Sequence, residues 1–420
     1  MISINIEISP IKEVNTSVYA PPSKSYTHRY LFLSLLSKGI NMVYNPLIST
    51  DTEASINAVN MFGGVVKLPE IHGIGKPIQP KNIVHCIRSG TTARISIGVA
   101  SLVNGETIID GEPQLRRRPM KDLLKSLEEI GVRTISRDYK LPVKIYGGRI
   151  RKKYVKISGD ISSQYITSLL IMGTKIGLTV EVINDVVSRG YIDITVRCLR
   201  EYGVKIYREG YRYFHVEESE LSIGERRIPG DYSSAAYLML IGALGGSIKI
   251  KGLDKVDPHP DKKFIDILRD AGATVHWNKD ELNVEKGFLE GFEADLRDSP
   301  DLLPPTAVLA AYSKGTSVIR GVYHTKFKET DRRYTTIYNL RRMGIEVYGE
   351  DDMIIIKGGR PRNGVFNSFG DHRIALAFIT ASLFLDKPSK ILNTEVISDS
   401  YPTFLNLVKG LGVEVNMFAG

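Results

Sequence analysis

Apolar residues along this chain follow two rhythms. In one kind of segment they form a single stripe, as in KDLLKSLEEIG, ITVRCLREYG, FIDILRDAG, TTIYNLRRMG and FLNLVKGLG, the spacing of a helix with one face against a core. These stretches stop at a glycine followed by Val, Ala or Ile. The repeated glycines, at Gly64, Gly131, Gly203, Gly272, Gly344 and Gly412, return every 67 to 72 residues. A helix closed by glycine in the left-handed region, then a strand, accounts for that ending. The other kind of segment opens on small polar or acidic residues and continues apolar: SKSYTHRYLFLSLL, SGTTARISIGVASL, SSQYITSLLIMG, DYSSAAYLMLIGAL, SPDLLPPTAVLAAY and GDHRIALAFITASL. Five of the six are apolar on nearly every face, which predicts buried helices, and their Ser, Thr and Asp residues predict N-caps. Two helices and several strands, repeated six times, predict an α/β fold whose copies pack on one another to bury the second helix type.

Capped helix starts also carry chemistry. Each offers free N–H groups and a partial positive charge, so several in symmetric register would form a receptor for phosphates and carboxylates. The net charge of +9 points the same way, towards anionic partners, and leaves nucleic acid and phosphorylated metabolites both open. With 420 residues, 42% of them hydrophobic and 25% charged, the chain has material for two or three globular domains. Its longest apolar run, Ala235 to Leu244, falls far short of the roughly 20 residues a bilayer requires, so no membrane partner is expected. The opening MISINIEISP alternates like a strand and lacks the pattern of a signal peptide, which suggests a cytoplasmic protein. Cys86 and Cys198 belong to no CxxC or Cys/His cluster; they read as buried small residues, with no disulfide and no metal site.

Five motifs concentrate cations and carboxylates at predicted helix starts. Pro22-Ser23-Lys24-Ser25-Tyr26-Thr27-His28-Arg29 sets two cations beside capping hydroxyls. In Arg88-Ser89-Gly90-Thr91-Thr92-Ala93-Arg94 the glycine lets backbone N–H groups approach a ligand closely. Leu115-Arg116-Arg117-Arg118-Pro119 lines up three guanidiniums before a helix, and Lys328-Glu329-Thr330-Asp331-Arg332 interleaves both charges. Gly370-Asp371-His372-Arg373 puts an arginine where an apolar helix begins, a place that calls for an anionic partner.

Together with Ser162-Ser163-Gln164, Ser188-Arg189-Gly190-Tyr191-Ile192 and Asp301, these motifs resemble the 5-enolpyruvylshikimate-3-phosphate synthase family from end to end. The resemblance implies an inside-out α/β barrel of two globes, each of three βαβαββ repeats, closing over the substrates. It assigns residues 1–20 and 231–420 to one globe and 21–230 to the inserted one. The implied reaction moves the enolpyruvyl (carboxyvinyl) group of phosphoenolpyruvate to the 5-hydroxyl of shikimate 3-phosphate, in the pathway to chorismate and the aromatic amino acids. Residue by residue, Lys24, Ser25, Arg29, Ser162, Ser163, Gln164, Ser188, Asp301 and Lys328 are expected to hold shikimate 3-phosphate. Lys24, Gly90, Arg118, Gln164, Arg332 and Arg373 are expected to hold phosphoenolpyruvate. Asp301 is the expected base and Glu329 the expected acid, with Lys24 assisting. A monomer that needs neither cofactor nor metal, and binds neither nucleic acid nor membrane, completes the expectation.

The related UDP-N-acetylglucosamine enolpyruvyl transferases carry a reactive cysteine in the loop matching Gly111–Pro119, and GEPQLRRRP has none. An RNA-terminal phosphate cyclase or a nucleic-acid binder would suit the positive charge but not paired Asp301 and Glu329 among cations. The chain departs from the family pattern at two positions. Asp399 stands where a lysine is usual, and Arg88 where an asparagine is usual. Opposite charges at two such positions suggest an ion pair between them in the closed form.

Overall fold

A computed structural model describes residues 3–419. Buried helices dominate its interior: α1 (Lys24–Leu36), α2 (Gly90–Ser101), α3 (Ser163–Gly173), α4 (Tyr232–Gly245), α5 (Leu303–Tyr312) and α6 (His372–Ser382). These are the six segments that open on small polar or acidic residues, five of them read as apolar on nearly every face, and nearly every residue of each is buried. Side-chain caps close five of the six starts: Ser23, Ser89, Ser162, Asp231 and Asp371 accept a backbone N–H from the first turn. The expectation fails at α5, which has no side-chain cap. There the chain arrives through a 3-10 turn, Pro300–Leu302, and Pro304 and Pro305 in the first helical turn have no N–H to be capped.

The striped helices lie between these, at Thr50–Met61, Lys121–Glu129, Arg189–Glu201, Phe264–Asp270, Arg332–Arg342 and Phe404–Gly410. Glycines end them as expected, with φ of 102° at Gly131, 78° at Gly203, 99° at Gly272, 76° at Gly344 and 86° at Gly412. In the first repeat the register differs by one. Gly63, not Gly64, has the positive φ, 101°, and the Gly64 N–H closes the turn onto the Val59 carbonyl at 3.0 Å, the bond that Val132 makes to Leu127 in the next repeat.

Six four-stranded sheets accompany the helices, each with one parallel pair and two antiparallel ones. A complete repeat runs strand, buried helix, strand, striped helix, hairpin. One example is Val84–His85, α2, Gly105–Asp110, Lys121–Glu129, Arg133–Ser136 and Val143–Gly147, the last strand lying between the second and third. Not every copy is contiguous. The sheet beside α1 takes its parallel edge from Glu225–Arg227, far downstream, and the sheet beside α6 takes an inner strand from Ile4–Ile8.

The chain divides into two compact units, Met1–Pro21 with Gly230–Gly420, and Pro22–Pro229. Each has its own core: one gathers α1, α2 and α3, the other α4, α5 and α6. Among the described residues, no helix is long and apolar enough to cross a membrane.

Candidate active site

In the unit Pro22–Pro229, the starts of the buried helices collect the sequence motifs. Ser23 caps α1, so Lys24 is its first residue, and the Lys24 ammonium meets Asp51 Oδ2 at 2.8 Å. Asp51 lies in the first turn of the helix Thr50–Met61 and is buried. It was not among the residues expected at the site; an acidic residue after Ser-Thr reads only as favourable helix-start chemistry. Ser25 follows, and its carbonyl accepts Arg29 Nη1 at 2.8 Å. The other Arg29 donors go to Thr195, Thr167 and the Tyr191 carbonyl. Burial lowers the proton affinity of this guanidinium.

Around the start of α2, a hydroxyl chain runs from His28 Nδ1 to Ser55 at 2.8 Å and from Ser55 to Thr92 at 2.7 Å, while Thr92 donates to Ser89 at 2.8 Å. Burial first, then Lys24 and Arg29, push the His28 imidazole well below its usual range, so it is neutral. Gly90 is the first residue of α2, and a Cβ there would lie 2.4 Å from Arg118 Nη1 and 2.9 Å from Arg94 Nη1. Only glycine leaves both guanidiniums where they are. Arg94 Nη1 donates to Gln164 Oε1 at 2.5 Å, and Gln164 Nε2 donates to Thr91 at 3.0 Å. Ser162 caps α3, whose first residue is Ser163. Ser188 precedes the helix Arg189–Glu201 with φ of 58° and is buried.

The arginine run separates into different environments. Arg116 pairs with Asp110 at 2.5 Å, Arg117 is exposed, and Arg118 is buried against Gly90. Arg88 Nη1 lies 3.2 Å from Glu112 Oε2, a partner in its own unit that the sequence reading did not name.

In the other unit, Arg332 organises the cluster from the start of its helix. It is 1% exposed and donates to Asp301 Oδ1 at 2.6 Å, to Glu329 Oε2 at 2.5 Å and to Asp371 Oδ2 at 2.8 Å. Burial works against this cation, but Asp371, Glu329 and Asp301 outweigh it and hold its proton affinity well above the usual value. Arg373 Nη2 lies 3.3 Å from Asp301 Oδ2, and Lys328 Nζ lies 3.9 Å from Asp301 Oδ1. Asp371 caps α6 through the Arg373 N–H at 2.9 Å and receives the Thr330 hydroxyl at 3.2 Å. One carboxylate thus sits among three cations, with a second carboxylate, Glu329, three residues from the central arginine. Asp399 is buried at the end of the 3-10 segment Thr394–Asp399.

A six-repeat α/β fold whose helix starts gather cations and carboxylates defines a class of protein suited to anionic ligands. Residues 8–407 match the family described as EPSP synthase (3-phosphoshikimate 1-carboxyvinyltransferase). The 3-phosphoshikimate 1-carboxyvinyltransferase of Aeropyrum pernix is 40% identical over 412 residues, 97% of this chain and 96% of that one. The enzyme of the same name from Pyrococcus furiosus is 42% identical over 402 residues, 95% of this chain and 98% of that one. Among solved structures, EPSP synthase from Acinetobacter baumannii superposes with a TM-score of 0.82 at 26% identity, covering 98% of this chain and all of that one. The chain belongs to the EPSP synthase family.

Proposed function

We propose that this protein transfers the enolpyruvyl group of phosphoenolpyruvate to the 5-hydroxyl of shikimate 3-phosphate and releases inorganic phosphate. The observation that carries this reading is the Asp301–Glu329–Arg332 cluster, which sets two carboxylates on one buried guanidinium. An acid and a base held on one scaffold suit a reaction that must move two protons. Asp301 takes the proton of the 5-hydroxyl as its oxygen bonds to the middle carbon of phosphoenolpyruvate, and Glu329 protonates the methylene carbon, with Lys24 assisting. The resulting tetrahedral adduct returns the methyl proton to Glu329, the double bond re-forms, and the C–O bond to phosphate breaks.

Lys24, Ser25, Arg29, Ser162, Ser163, Gln164, Ser188, Asp301 and Lys328 are assigned to shikimate 3-phosphate. Arg29 serves that set through the Ser25 and Tyr191 carbonyls, two of the acceptors of its donors beside the Thr195 and Thr167 hydroxyls. Lys24, Gly90, Arg118, Gln164, Arg332 and Arg373 are assigned to phosphoenolpyruvate, where guanidiniums suit bidentate carboxylate pairing. With this much fixed positive charge, the reaction calls for no metal or cofactor. A monomer in the cytoplasm, binding neither nucleic acid nor membrane, completes the proposal. Phosphate release from phosphoenolpyruvate should depend on shikimate 3-phosphate and persist in a chelator. Equal release with UDP-N-acetylglucosamine as acceptor would overturn the reading.

A further inference from the structure

In the first turn of α3, directly after Gln164, stands a residue to which the proposed reaction gives no role. Tyr165 is wholly buried, and its hydroxyl donates to the Pro119 carbonyl at 2.6 Å. Arg94, from α2, brings Nη2 to the same carbonyl at 3.3 Å, and its guanidinium lies over the Tyr165 ring, 5.2 Å from the centroid. A carbonyl oxygen has two lone pairs, and here each takes a donor from a different buried helix. Burial raises the proton affinity of the phenol, so at neutral pH it stays a donor.

Pinning this carbonyl constrains the residue before it. The pyrrolidine ring sets φ of Pro119, and a residue ahead of proline is biased towards extended ψ. Few soft torsions therefore separate the Pro119 carbonyl from the Arg118 Cα. On its other side Arg118 is tied through its N–H to the Leu115 carbonyl at 3.1 Å, and just beyond the proline the Met120 N–H reaches the Tyr139 carbonyl at 3.2 Å. From this clamped stretch the buried Arg118 side chain reaches Gly90, where a Cβ would lie 2.4 Å from Nη1. So close an approach leaves little room for the guanidinium to be placed differently.

We propose that Tyr165 is a positioning residue for Arg118: its hydroxyl, together with Arg94, clamps the Pro119 carbonyl and so sets the guanidinium assigned to phosphoenolpyruvate beside the start of α2. The substrate named here rests on the proposed function; the dependence of Arg118 on Tyr165 does not. Two measurements on the full-length protein separate these. In the first, Tyr165→Phe removes one hydroxyl and leaves Arg94 on the carbonyl, so the variant should fold. It should raise KM for phosphoenolpyruvate about fivefold, with kcat and KM for shikimate 3-phosphate little changed. In an Arg118→Lys background the same substitution should shift that KM by less than about twofold, because the guanidinium it positions is gone. An unchanged KM, an equal rise in both backgrounds, or a parallel rise for both substrates with a lowered melting temperature would overturn the proposal. In the second, the Arg118 side chain is followed by 15N NMR without substrate. A guanidinium held in one place gives separate signals for its two Nη nitrogens, which should be resolved in the unaltered protein and merge in Tyr165→Phe. Signals resolved in both proteins, or merged in both, overturn the dependence. If the unaltered protein releases no phosphate from phosphoenolpyruvate, the transferase reading falls and the NMR result still decides the role of Tyr165.

Discussion

Arg332 is surrounded by three carboxylates, and that imbalance makes the roles of its partners separable. Neutralising Glu329 by Gln leaves the guanidinium paired twice and relieves repulsion among the three, so the fold should keep its melting temperature while turnover falls about 10²-fold or more, the scale for a positioned acid or base. Asp301→Asn should lower turnover as much, and, because it also takes a carboxylate from Arg373 and Lys328, lower the melting temperature as well. Variants that lose stability but retain turnover would mean that the carboxylates only balance the arginine. Unlike Glu329→Gln, Arg332→Gln should lose about 3–5 kcal/mol in chemical denaturation because buried carboxylates lose their counter-ion. A different titration belongs to His324, which burial, followed by Lys328, pushes down to about 3 from 6.5. The unfolded chain then binds more protons than the folded one, so the His324 contribution is full above about 6.5 and is lost as pH falls towards 3. Between pH 7 and 5 the stability read from urea unfolding should fall less steeply in His324→Asn than in the unaltered protein, by up to about 1.4 kcal/mol per pH unit; identical slopes would remove His324 from the account. The clustered motif residues were legible because each motif is contiguous. The partners Asp51 and Glu112 were not, since they reach Lys24 and Arg88 across 27 and 24 residues, and a lone acid near a helix start reads as ordinary dipole compensation; Asp371 lay within a motif, but its pairing with Arg332, 39 residues away, was not legible.

Individual helices were easier to read than the sheets they accompany. Hydrophobic residues on every face can only be buried, so five of the six inner helices were evident from that pattern and the sixth from its place in the repeat, and Ser or Asp before an apolar run marks where five of them start. Asp301 shows where this rule ends. It precedes an apolar helix like the other five, but prolines in the first turn leave little to cap, and its carboxylate turns to Arg332 and Arg373 instead. A working cap is worth testing at α2, where Ser89 accepts the Thr92 N–H at 3.2 Å and its hydroxyl at 2.8 Å. Ser89→Ala should cost about 1 kcal/mol, read from the denaturant midpoint. No loss on Ser89→Ala would contradict the helix-start account; Ser299, before the uncapped α5, instead donates its hydroxyl to the Pro260 carbonyl at 2.9 Å. Strand partners were not legible, because a repeat completed by a strand from a distant part of the chain has the same local pattern as one completed by its neighbour.

That exchange of strands governs what each unit can do alone. All twelve strands of the three sheets beside α1, α2 and α3 lie between Lys38 and Arg227, and the core around these helices draws only on residues Tyr26 to Ile228. The segment Pro22–Pro229 therefore contains every strand and core side chain its fold uses. The other unit does not survive the same cut. Ile4–Ile8 pairs on one side with Ser389–Leu392 and on the other with Val415–Ala419, so it occupies the interior of its sheet, and Val14–Tyr19 forms the parallel edge beside Gly246–Lys251. Removing residues 1–21 would unpair both flanks of an inner strand and expose Ile6 and Ile8 partners in the core around α4, α5 and α6. Expressed separately, residues 22–229 should melt in one cooperative transition followed by circular dichroism. Residues 230–420 should show none until a peptide of residues 1–21 is added, which should restore it in proportion to its concentration. Six tandem repeats in sequence suggest that any three would fold equally well, and that simpler account would prevail if residues 230–420 melted cooperatively without the peptide, or if residues 22–229 failed to do so.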